Sequence, residues 1–369
     1  MAFRVADFTR VLAGPWATQT LGDQGFDIVK VEALTGDETR GFHPIVRGES
    51  VYFACTNRNK RSIALDLRTE PGQRVARRLI ESADVIIENF RPGVMERFGL
   101  GATMRGSRQV WVSISAFGDD NNGAGYDLVL QSVGGITTLT GDPPAKAGPS
   151  IADLATAQVA VQAVLFGLLA REQTGLGRYF DLSMLDVQHA LLAYYASASL
   201  NAGSAPPTPS NAHPSIAPYN LYRCADGWLA ICCANDGLWH RLREALDLPD
   251  EARWGSLSER VADRARLDAA ITARLGAGAV TTWEARLSAA GVPCGPALSV
   301  AASLAHPAAK QIEVGGWRLP APPLALQSMR PPPRLGEHTD EVLAELGFGV
   351  DDVADLRRLG AVGPELVPR

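Results

Sequence analysis

The chain of 369 residues has the composition of a globular protein: 46% of its residues are hydrophobic, 20% are charged, and the net charge at pH 7 is −5. At roughly 150 residues per domain, this length predicts about two domains with cores that need no disulfide or metal. The mildly acidic balance argues against a nucleic-acid-binding or membrane-binding surface. Five cysteines without a CxxC pair, and six scattered histidines without HExxH, argue against a disulfide framework and a zinc site.

The sequence contains no recognisable targeting signal. Its start, "MAFRVADFTRVLAGPW", lacks the long apolar core of a signal peptide. No stretch of about 18 uncharged apolar residues follows. We therefore expect a cytoplasmic protein without a membrane span.

The first 120 residues alternate between strand and helix patterns. "RVADF" and "FDIVKVE" are typical of strands and flank a helix pattern over 13–25, with Pro15 near its start and Gly25 at its end. Further strand patterns are "SIALDL", "DVIIENF" and "VWVSISAFG", with a helix pattern over 70–83. This alternation predicts a mostly parallel sheet covered by helices.

The remaining chain predicts a long helix, a second domain and a return segment. A strong helical period runs over 151–171, and strand and helix patterns follow over 174–200. Residues 201–215 are rich in Pro, Ser and Asn, which is typical of a linker or surface loop. The stretch from 219 to about 310 predicts a smaller α+β domain that begins with a hairpin. The proline-rich segment 317–338 predicts an extended path before two short closing helices.

The first strand-to-helix junction lacks the fingerprints of nucleotide-binding proteins. It reads "RVLAGPWATQTLG", whose glycines do not fit GxGxxG, and no P-loop occurs in the chain. This argues against a nicotinamide-dependent dehydrogenase and against an NTPase. The predicted sheet is Rossmann-like in shape without the chemistry of that fold.

A basic cluster precedes the third predicted strand. Arg58, Lys60 and Arg61 lie within "NRNKRSI". The cluster is typical of a solvated loop. Closely spaced cations are also suited to binding a polyphosphate, so a phosphate-binding patch is the functional alternative.

Two further motifs follow predicted strands. In "ENFRPGVMERFG", Glu88, Asn89 and Phe90 end a strand, where sheets of this class place ligand-binding loops, and Arg97 is within reach of a phosphate. The structural alternative is a plain turn built around proline and glycine. Tyr126 and Asp127 lie within "GAGYDLVLQSVGG". The structural alternative is that the tyrosine ring is packed in the core and the aspartate caps a helix.

Asp153 lies at the start of the long helix, within "SIADLATAQ". A first-turn or N-cap acid accepts backbone N–H bonds and stabilises a helix by about 1 kcal/mol. We expect the helix N-terminus to keep this carboxylate ionised. An ionised carboxylate without a tight cation partner can attack an activated acyl carbon, so the same residue is also a candidate nucleophile. No Ser-His or Cys-His arrangement can be assembled by spacing.

Together these motifs give a nearly full-length resemblance to one family. The chain resembles the class III CoA-transferases, the CaiB/BaiF family. The blocks that carry the resemblance are "VADFTRVLAGPWATQTLGDQGFDIVKVE", "NRNKRSIALDL", "ADVIIENFRPGVMERFGL", "GYDLVLQSVGG", "SIADLATAQ", "TGLGRYFDLSMLD", "HPSIAPYNLYRCADGWLAI" and "PPPRLGEHTDEVLAELG".

The resemblance implies an α/β fold with a Rossmann-like large domain built from both chain ends. Residues 1–205 would form its N-terminal part and residues 316–369 its return segment and closing helices, around a small α+β domain over 206–315. It also implies an interlocked homodimer. The substrates would be a CoA thioester and a small carboxylic acid, with coenzyme A as substrate and no permanently bound cofactor, nucleic acid or membrane partner.

The resemblance also implies residue roles. Asp153 matches the catalytic aspartate, which carries the reaction through an acyl-aspartyl anhydride and an aspartyl-CoA thioester. Positions that match residues in contact with CoA are Leu12, Ala13, Asn89, Phe90, Arg97 and Tyr126, while Lys60 and Arg61 resemble residues near its nucleotide end.

Two departures from the family pattern bear on these roles. Ala33 replaces an arginine that contacts the nucleotide in some members, and Arg40 is a candidate substitute. "PTPSNAHPS" stands where one branch has a glycine run that shields the intermediate. This second departure argues against formyl-CoA or oxalate specificity.

Three alternative functions are considered. An α-methylacyl-CoA racemase of the same superfamily typically reads "GHD" where this chain reads "GYD" over 125–127. A tyrosine, with an ordinary pKa near 10, is a poor base there, although His43 and His213 are possible substitutes. The presence of Asp153 among the other family motifs argues against a non-catalytic acyl-CoA binder. A nicotinamide-dependent dehydrogenase is opposed by the missing glycine fingerprint.

Overall fold

The computed structural model describes residues 2–203 and 211–363. The predicted domain boundary at 205/206 and the first part of "PTPSNAHPS" lie outside these residues. The described chain forms two compact units. The larger comprises Met1–Ile136, Lys146–Leu192 and Lys310–Arg369, and the smaller comprises Thr137–Ala145 and Ala193–Ala309.

The thirteen strands within the described residues form one large sheet and three small ones. They are β1 (Arg4–Phe8), β2 (Asp27–Glu32), β3 (Ile45–Val46), β4 (Glu49–Ser50), β5 (Lys60–Ala64), β6 (Val85–Glu88), β7 (Val110–Ser115), β8 (Tyr179–Ser183), β9 (Tyr219–Arg223), β10 (Trp228–Cys232), β11 (Cys294–Pro296), β12 (Gln311–Val314) and β13 (Trp317–Pro320).

The helices within the described residues are α1 (Ala13–Asp23), α2 (Val51–Thr56), α3 (Glu70–Ser82), α4 (Val94–Arg97), α5 (Asp127–Val133), α6 (Ile136–Thr140), α7 (Ile151–Thr174), α8 (Met184–Leu192), α9 (Tyr194–Ala202), α10 (Asp236–Ala245), α11 (Leu257–Ala262), α12 (Arg264–Leu275), α13 (Val280–Ala289), α14 (Val300–Leu304), α15 (Thr339–Glu345) and α16 (Val350–Arg358).

The large unit is built on a six-stranded sheet with the order β5-β2-β1-β6-β7-β8. Every neighbouring pair is parallel. Numbered within the sheet, this order is 3-2-1-4-5-6, the doubly wound arrangement of dinucleotide-binding proteins. The predicted mixed α/β class with a central parallel sheet is therefore confirmed.

Both faces of the sheet are covered, which explains why its strands are almost continuously apolar. Alternate residues of β1 enter different cores: Ala6 and Phe8 pack with α3 and α15, while Val5 packs with α1 and α7. Buried side chains of α3, such as Leu79, come from a strongly amphipathic helix that starts with a Thr69 cap.

The smaller unit contains an antiparallel sheet with the order β11-β10-β9. The predicted hairpin is present as β9 and β10, and Trp228 pairs with Arg223 next to its turn. Helices α10, α12 and α13 bury Trp239, Leu267 and Leu287 in one core with the sheet.

Some elements differ from the sequence prediction. The helix pattern over 184–200 is divided into α8 and α9 at Ala193, which has a positive φ of 46°. The proline-rich return segment is not extended throughout, since Trp317–Pro320 pairs with Gln311–Val314 as an antiparallel hairpin. Trp317 and Leu319 of this hairpin pack with Ala54 of α2. No local sequence pattern predicts this contact.

Helix α7 is, within the described residues, the one helix that is long and apolar enough to cross a membrane. It packs against α1, α5 and β7. Ala157, Ala160 and Val164 are fully buried in that core. A core helix of a sheet protein meets the same length and composition criteria.

Candidate active site

The topology of the sheet places a cavity between its two central strands. The chain leaves β1 toward the face covered by α1, and leaves β6 toward the opposite face, where Met95 and Leu100 are buried. Neighbouring parallel strands whose connections diverge in this way leave a crevice at their carboxyl ends, where open α/β sheets bind ligands.

A cavity of about 210 Å³ occupies this crevice, and we call it the switch-point cavity. It is lined by the residues that follow β1, β6 and β7 and by the approaches to α5, α7 and α8. These residues are Arg10–Ala13, Glu38, Asn89–Pro92, Ile114–Ala116, Gly123–Tyr126, Asp153 and Met184.

The cavity brings together residues that the sequence analysis selected from four separate segments. They are Leu12, Ala13, Asn89, Phe90, Tyr126 and Asp153. Lys60, Arg61 and Arg97 do not line it. Arg97 lies exposed at the end of α4.

Lys60 is fully buried and has partners within the fold. Its Nζ atom donates to Pro15 O at 2.9 Å and Asn57 Oδ1 at 2.8 Å, and lies 3.2 Å from Asp7 Oδ2. Burial lowers the pKa of Lys60 to about 8, while Asp7 opposes that change. Neither predicted alternative for this cation, a solvated loop or an open phosphate patch, describes such an enclosed ion pair.

The two arginines of the same cluster are also held by carboxylates. Arg61 contacts Asp27, Glu341 and Glu345 at 2.7 to 2.9 Å. Arg58 pairs with Asp23 at 2.5 Å. The spacing of basic residues is visible in the sequence, but their acidic partners are far away along the chain.

Arg40 is similarly engaged and does not serve as a free substitute for the arginine replaced by Ala33. Its guanidinium donates to both oxygens of Glu32 at 2.7 Å and lies 3.7 Å from the centre of the Phe53 ring.

Asp153 occupies the first turn of α7, one of its two predicted positions, and it is not the N-cap. Ser150 is the N-cap and makes no side-chain cap. The N–H of Ala152 donates instead to Asp127 Oδ1 at 2.9 Å. Within residues 2–203 and 211–363, the carboxylate of Asp153 accepts no hydrogen bond.

The protonation of Asp153 also differs from the expectation. Burial, reinforced by the negative charge of Asp127, raises the pKa of Asp153 to about 7, and Lys146 opposes the change only in part. Burial and the charge of Asp127 thus outweigh the stabilisation of the ionised form that was expected from the helix N-terminus. Asp153 is therefore a more basic carboxylate than an ordinary aspartate.

Asp127 is held in this position from three sides. Besides the N–H of Ala152, it accepts a hydrogen bond from Gln131 Nε2 at 2.7 Å and lies 3.6 Å from Lys146 Nζ. Gln131 in turn accepts the N–H of Ala147 at 2.9 Å. Helix α5 thus holds the segment that leads into α7 and, through it, Asp153.

Two cations of the cavity were missed by the sequence analysis. Arg10 pairs with Glu38 at 3.2 Å, both half exposed. Arg91 has no carboxylate within 4 Å among the described residues, although it lines the cavity. Both lie two or three residues after the end of a strand, in "FTRVL" and "ENFRPG", and this position was the signal that could have identified them.

The described residues contain no group of three His, Cys, Asp or Glu side chains arranged to hold a metal ion. The cavity instead offers carboxylates, arginines, amide groups and apolar side chains.

Comparison with known proteins identifies the family of this chain. The model of CoA-transferase family III matches residues 2–339. The chain belongs to CoA-transferase family III. It is therefore an enzyme, and its switch-point cavity lies within the matched region.

This CoA-transferase has close relatives in sequence and structure. A succinate–glutarate CoA-transferase of Agrobacterium fabrum is 36% identical, over 93% of this chain and 94% of the relative. An acetyl-CoA:oxalate CoA-transferase of Acetobacter aceti is 35% identical, over 89% of both chains. The crystal structure of a CaiB/BaiF family protein from Brucella suis superposes with a TM-score of 0.84 at 36% identity, covering 93% of this chain and 98% of that chain.

Proposed function

We propose that this enzyme transfers CoA from an acyl-CoA thioester to a small dicarboxylic acid through covalent intermediates on Asp153. The observation that carries the proposal is the position of a half-buried carboxylate with a raised pKa in the switch-point cavity of a CoA-transferase. The relatives named for succinate, glutarate and oxalate support a dicarboxylic substrate. Arg10 and Arg91 supply positive charge for such an acid.

The first half of the reaction transfers CoA from the donor to the protein as a thioester of Asp153. The Asp153 carboxylate attacks the thioester carbonyl, and CoA leaves as a thiolate, which produces an acyl-aspartyl anhydride. The thiolate then attacks the aspartyl carbonyl and releases the donor acid, leaving an aspartyl-CoA thioester. Each covalent intermediate conserves the free energy of the thioester bond, which hydrolysis would release.

The second half repeats these steps in reverse with the acceptor. The acceptor carboxylate attacks the aspartyl-CoA carbonyl, which gives a new anhydride and the CoA thiolate. The thiolate attacks the acceptor acyl carbon and frees the Asp153 carboxylate. Bonds, charges and protons balance without a metal or a redox partner.

The environment of Asp153 suits this role. A carboxylate with a raised pKa is a stronger nucleophile than an ordinary one, and a pKa about 7 still leaves a large ionised fraction at neutral pH. Leu12, Ala13, Asn89, Phe90 and Tyr126 form the proposed wall for CoA. The exposed Arg97 remains a proposed phosphate contact.

The covalent intermediate is tested by trapping. The enzyme is incubated with succinyl-CoA, treated with hydroxylamine, digested with trypsin and analysed by mass spectrometry. We expect the adduct on the peptide between Lys146 and Arg171, at Asp153, and no adduct or CoA exchange in Asp153→Asn. Glu172→Gln, an exposed change on the same helix, is the matched control with normal trapping. An active enzyme whose peptide stays unmodified would refute the proposal.

The racemase alternative makes a separate prediction. It requires proton exchange at the carbon next to the thioester, and the racemase branch uses a histidine where this chain has Tyr126. No histidine is among the described residues that line the cavity. Incubation of a 2-methylacyl-CoA in D₂O without acceptor acid should give no deuterium uptake. Rapid uptake would favour the racemase.

A further inference from the structure

The loop from Thr9 to Val11 lines the switch-point cavity and is held by side chains from other elements. The N–H of Thr9 donates to Asp7 Oδ1 at 2.9 Å, and its carbonyl accepts from Lys30 Nζ at 2.8 Å. The N–H of Val11 donates to Asp37 Oδ2 at 3.3 Å. Thr9 is fully buried, and its backbone groups are paired with side chains of other elements, which ties the loop to the sheet.

Arg10, between these residues, is held by the side chain of Asn89. The N–H of Arg10 donates to Asn89 Oδ1 at 2.8 Å, and Asn89 Nδ2 donates to the carbonyl of Arg10 at 2.8 Å. A primary amide that pairs with both polar groups of one residue reproduces the hydrogen bonding of a neighbouring strand. This pairing joins the loop after β6 to the loop after β1.

The loop has a conformation that an isolated chain rarely adopts. Val11 has a φ of 67°, in the left-handed region that β-branched residues avoid. Such a conformation persists only where the surroundings determine it. Three residues on, a side chain at Gly14 would meet Thr9 Cβ at 2.3 Å, so the loop packs closely against the start of α1.

The loop after β6 is fixed on its own side as well. The N–H of Phe90 donates to Glu88 Oε2 at 2.9 Å, and the Arg10 guanidinium lies 5.2 Å from the centre of the Phe90 ring. Removing Asn89 would leave Phe90 and Val11 with their own hydrogen bonds but would take away both backbone partners of Arg10, next to the strained Val11.

From this geometry we propose that Asn89 is a positioning residue of the transfer reaction. It uses its amide to hold Arg10, and thereby keeps Leu12 and Ala13 in place along the cavity that contains Asp153. The inference rests on the proposed function and refines it. The resemblance alone implied that Asn89 is a contact to CoA.

A positioning role predicts a specific kinetic effect. Without Asn89 the free enzyme spends only part of its time with the loop in the binding conformation, and apparent affinity falls by that fraction. The loss of two hydrogen bonds corresponds to about a tenfold or larger decrease in the ordered fraction. Saturating substrate restores the loop, so KM for the acyl-CoA rises about tenfold while kcat changes less than about twofold.

The test combines kinetics with a measurement on the ligand-free enzyme. Limited trypsin digestion followed by mass spectrometry reports cleavage after Arg10, which requires the loop to open. We expect Asn89→Ala to increase this cleavage about tenfold without ligand, and acyl-CoA to suppress it. Asn89→Asp should be equally damaging, because its second oxygen faces the carbonyl of Arg10. Asn201→Ala, an exposed asparagine of α9, is the matched control.

The possible outcomes separate the alternatives. A raised KM with unchanged cleavage in the ligand-free enzyme would show a direct CoA contact and overturn the proposal, as would unchanged values of both. If Asn89→Ala does not fold, Asn89→Ser and Asn89→Asp provide the same two readouts. Cleavage after Arg10 and its suppression by acyl-CoA are measured without turnover. The cleavage readout and its suppression by acyl-CoA, unlike KM, therefore stay informative if the trapping experiment on Asp153 fails, and the two proposals can fail independently.

Discussion

At the scale of single residues, the pKa of Asp153 predicts the pH dependence of the reaction. The carboxyl group must be ionised to attack a thioester, and burial together with Asp127 raises its pKa to about 7. Activity should therefore fall as pH decreases through this value. We expect kcat/KM for the acyl-CoA, which reports on the free enzyme, to decrease about tenfold between pH 8 and pH 6.

The variant Asp127→Asn provides the control for this prediction. It keeps an oxygen that can accept the N–H of Ala152 but removes the negative charge, so the pKa of Asp153 should fall. The acidic limb of the profile should then move to lower pH. Tyr52, Lys146 and the cavity residues Arg10, Glu38 and Arg91 are the other titratable or charged groups around Asp153. Identical profiles for the two enzymes would assign the limb to one of these.

Lys60 is enclosed in the fold, and its predicted proximity to the nucleotide end of CoA remains a prediction. It is fully buried with Asp7, and removing one member of a buried ion pair leaves the other charge unpaired. We expect Lys60→Met to lower the free energy of unfolding by about 3 kcal/mol in urea titrations. The double variant with Asp7→Asn should recover part of the loss. A raised KM for CoA at unchanged stability would instead support the contact that the resemblance implies.

At the scale of elements, the periodic patterns predicted most helices and strands of the large sheet. Helices α1 and α3 begin at the predicted residues 13 and 70, and β6 lies within its predicted strand pattern. The β12–β13 hairpin was missed because its stability depends on Ala54 and its neighbours in α2. Such a contact leaves no trace in the local sequence.

Helix α7 can lie close to the sheet because a glycine faces it. A side chain at Gly167 would meet the methyl groups of Val110 at 2.7 and 2.8 Å, and Phe180 at 3.2 Å. We expect Gly167→Ala to lower the free energy of unfolding by about 1–2 kcal/mol, since overpacking outweighs the better helix propensity of alanine. Gly41→Ala, where no atom lies within 4 Å of the added carbon, is the control. Equal stability of both variants would contradict this packing.

At the scale of the whole molecule, the side of α7 that faces away from the sheet predicts an interface with a partner protein. Leu165, Phe166 and Leu169 are 48%, 59% and 57% exposed on one face of this helix. Exposed apolar stripes of this kind usually mark an interface. The homodimer implied by the family resemblance would cover it.

We expect light scattering to give twice the chain mass for the enzyme and a monomer, or a concentration-dependent mixture, for Phe166→Glu. The charge would be buried without a partner in the interface, which costs several kcal/mol. Glu172→Gln should remain dimeric. A wild-type enzyme that is monomeric at micromolar concentration would rule out the dimer.

The sequence by itself determined the parallel α/β class, the family and the candidate nucleophile. These depend on local periodicity and on short motifs, which survive in a single chain. Only the tertiary structure decided which motif residues meet: it enclosed Lys60 and Arg61 with distant carboxylates and gathered Leu12, Asn89 and Asp153 around one cavity. It also decided the protonation of Asp153. Burial and the charge of Asp127 are properties of the folded environment, and the order of residues along the chain does not contain them.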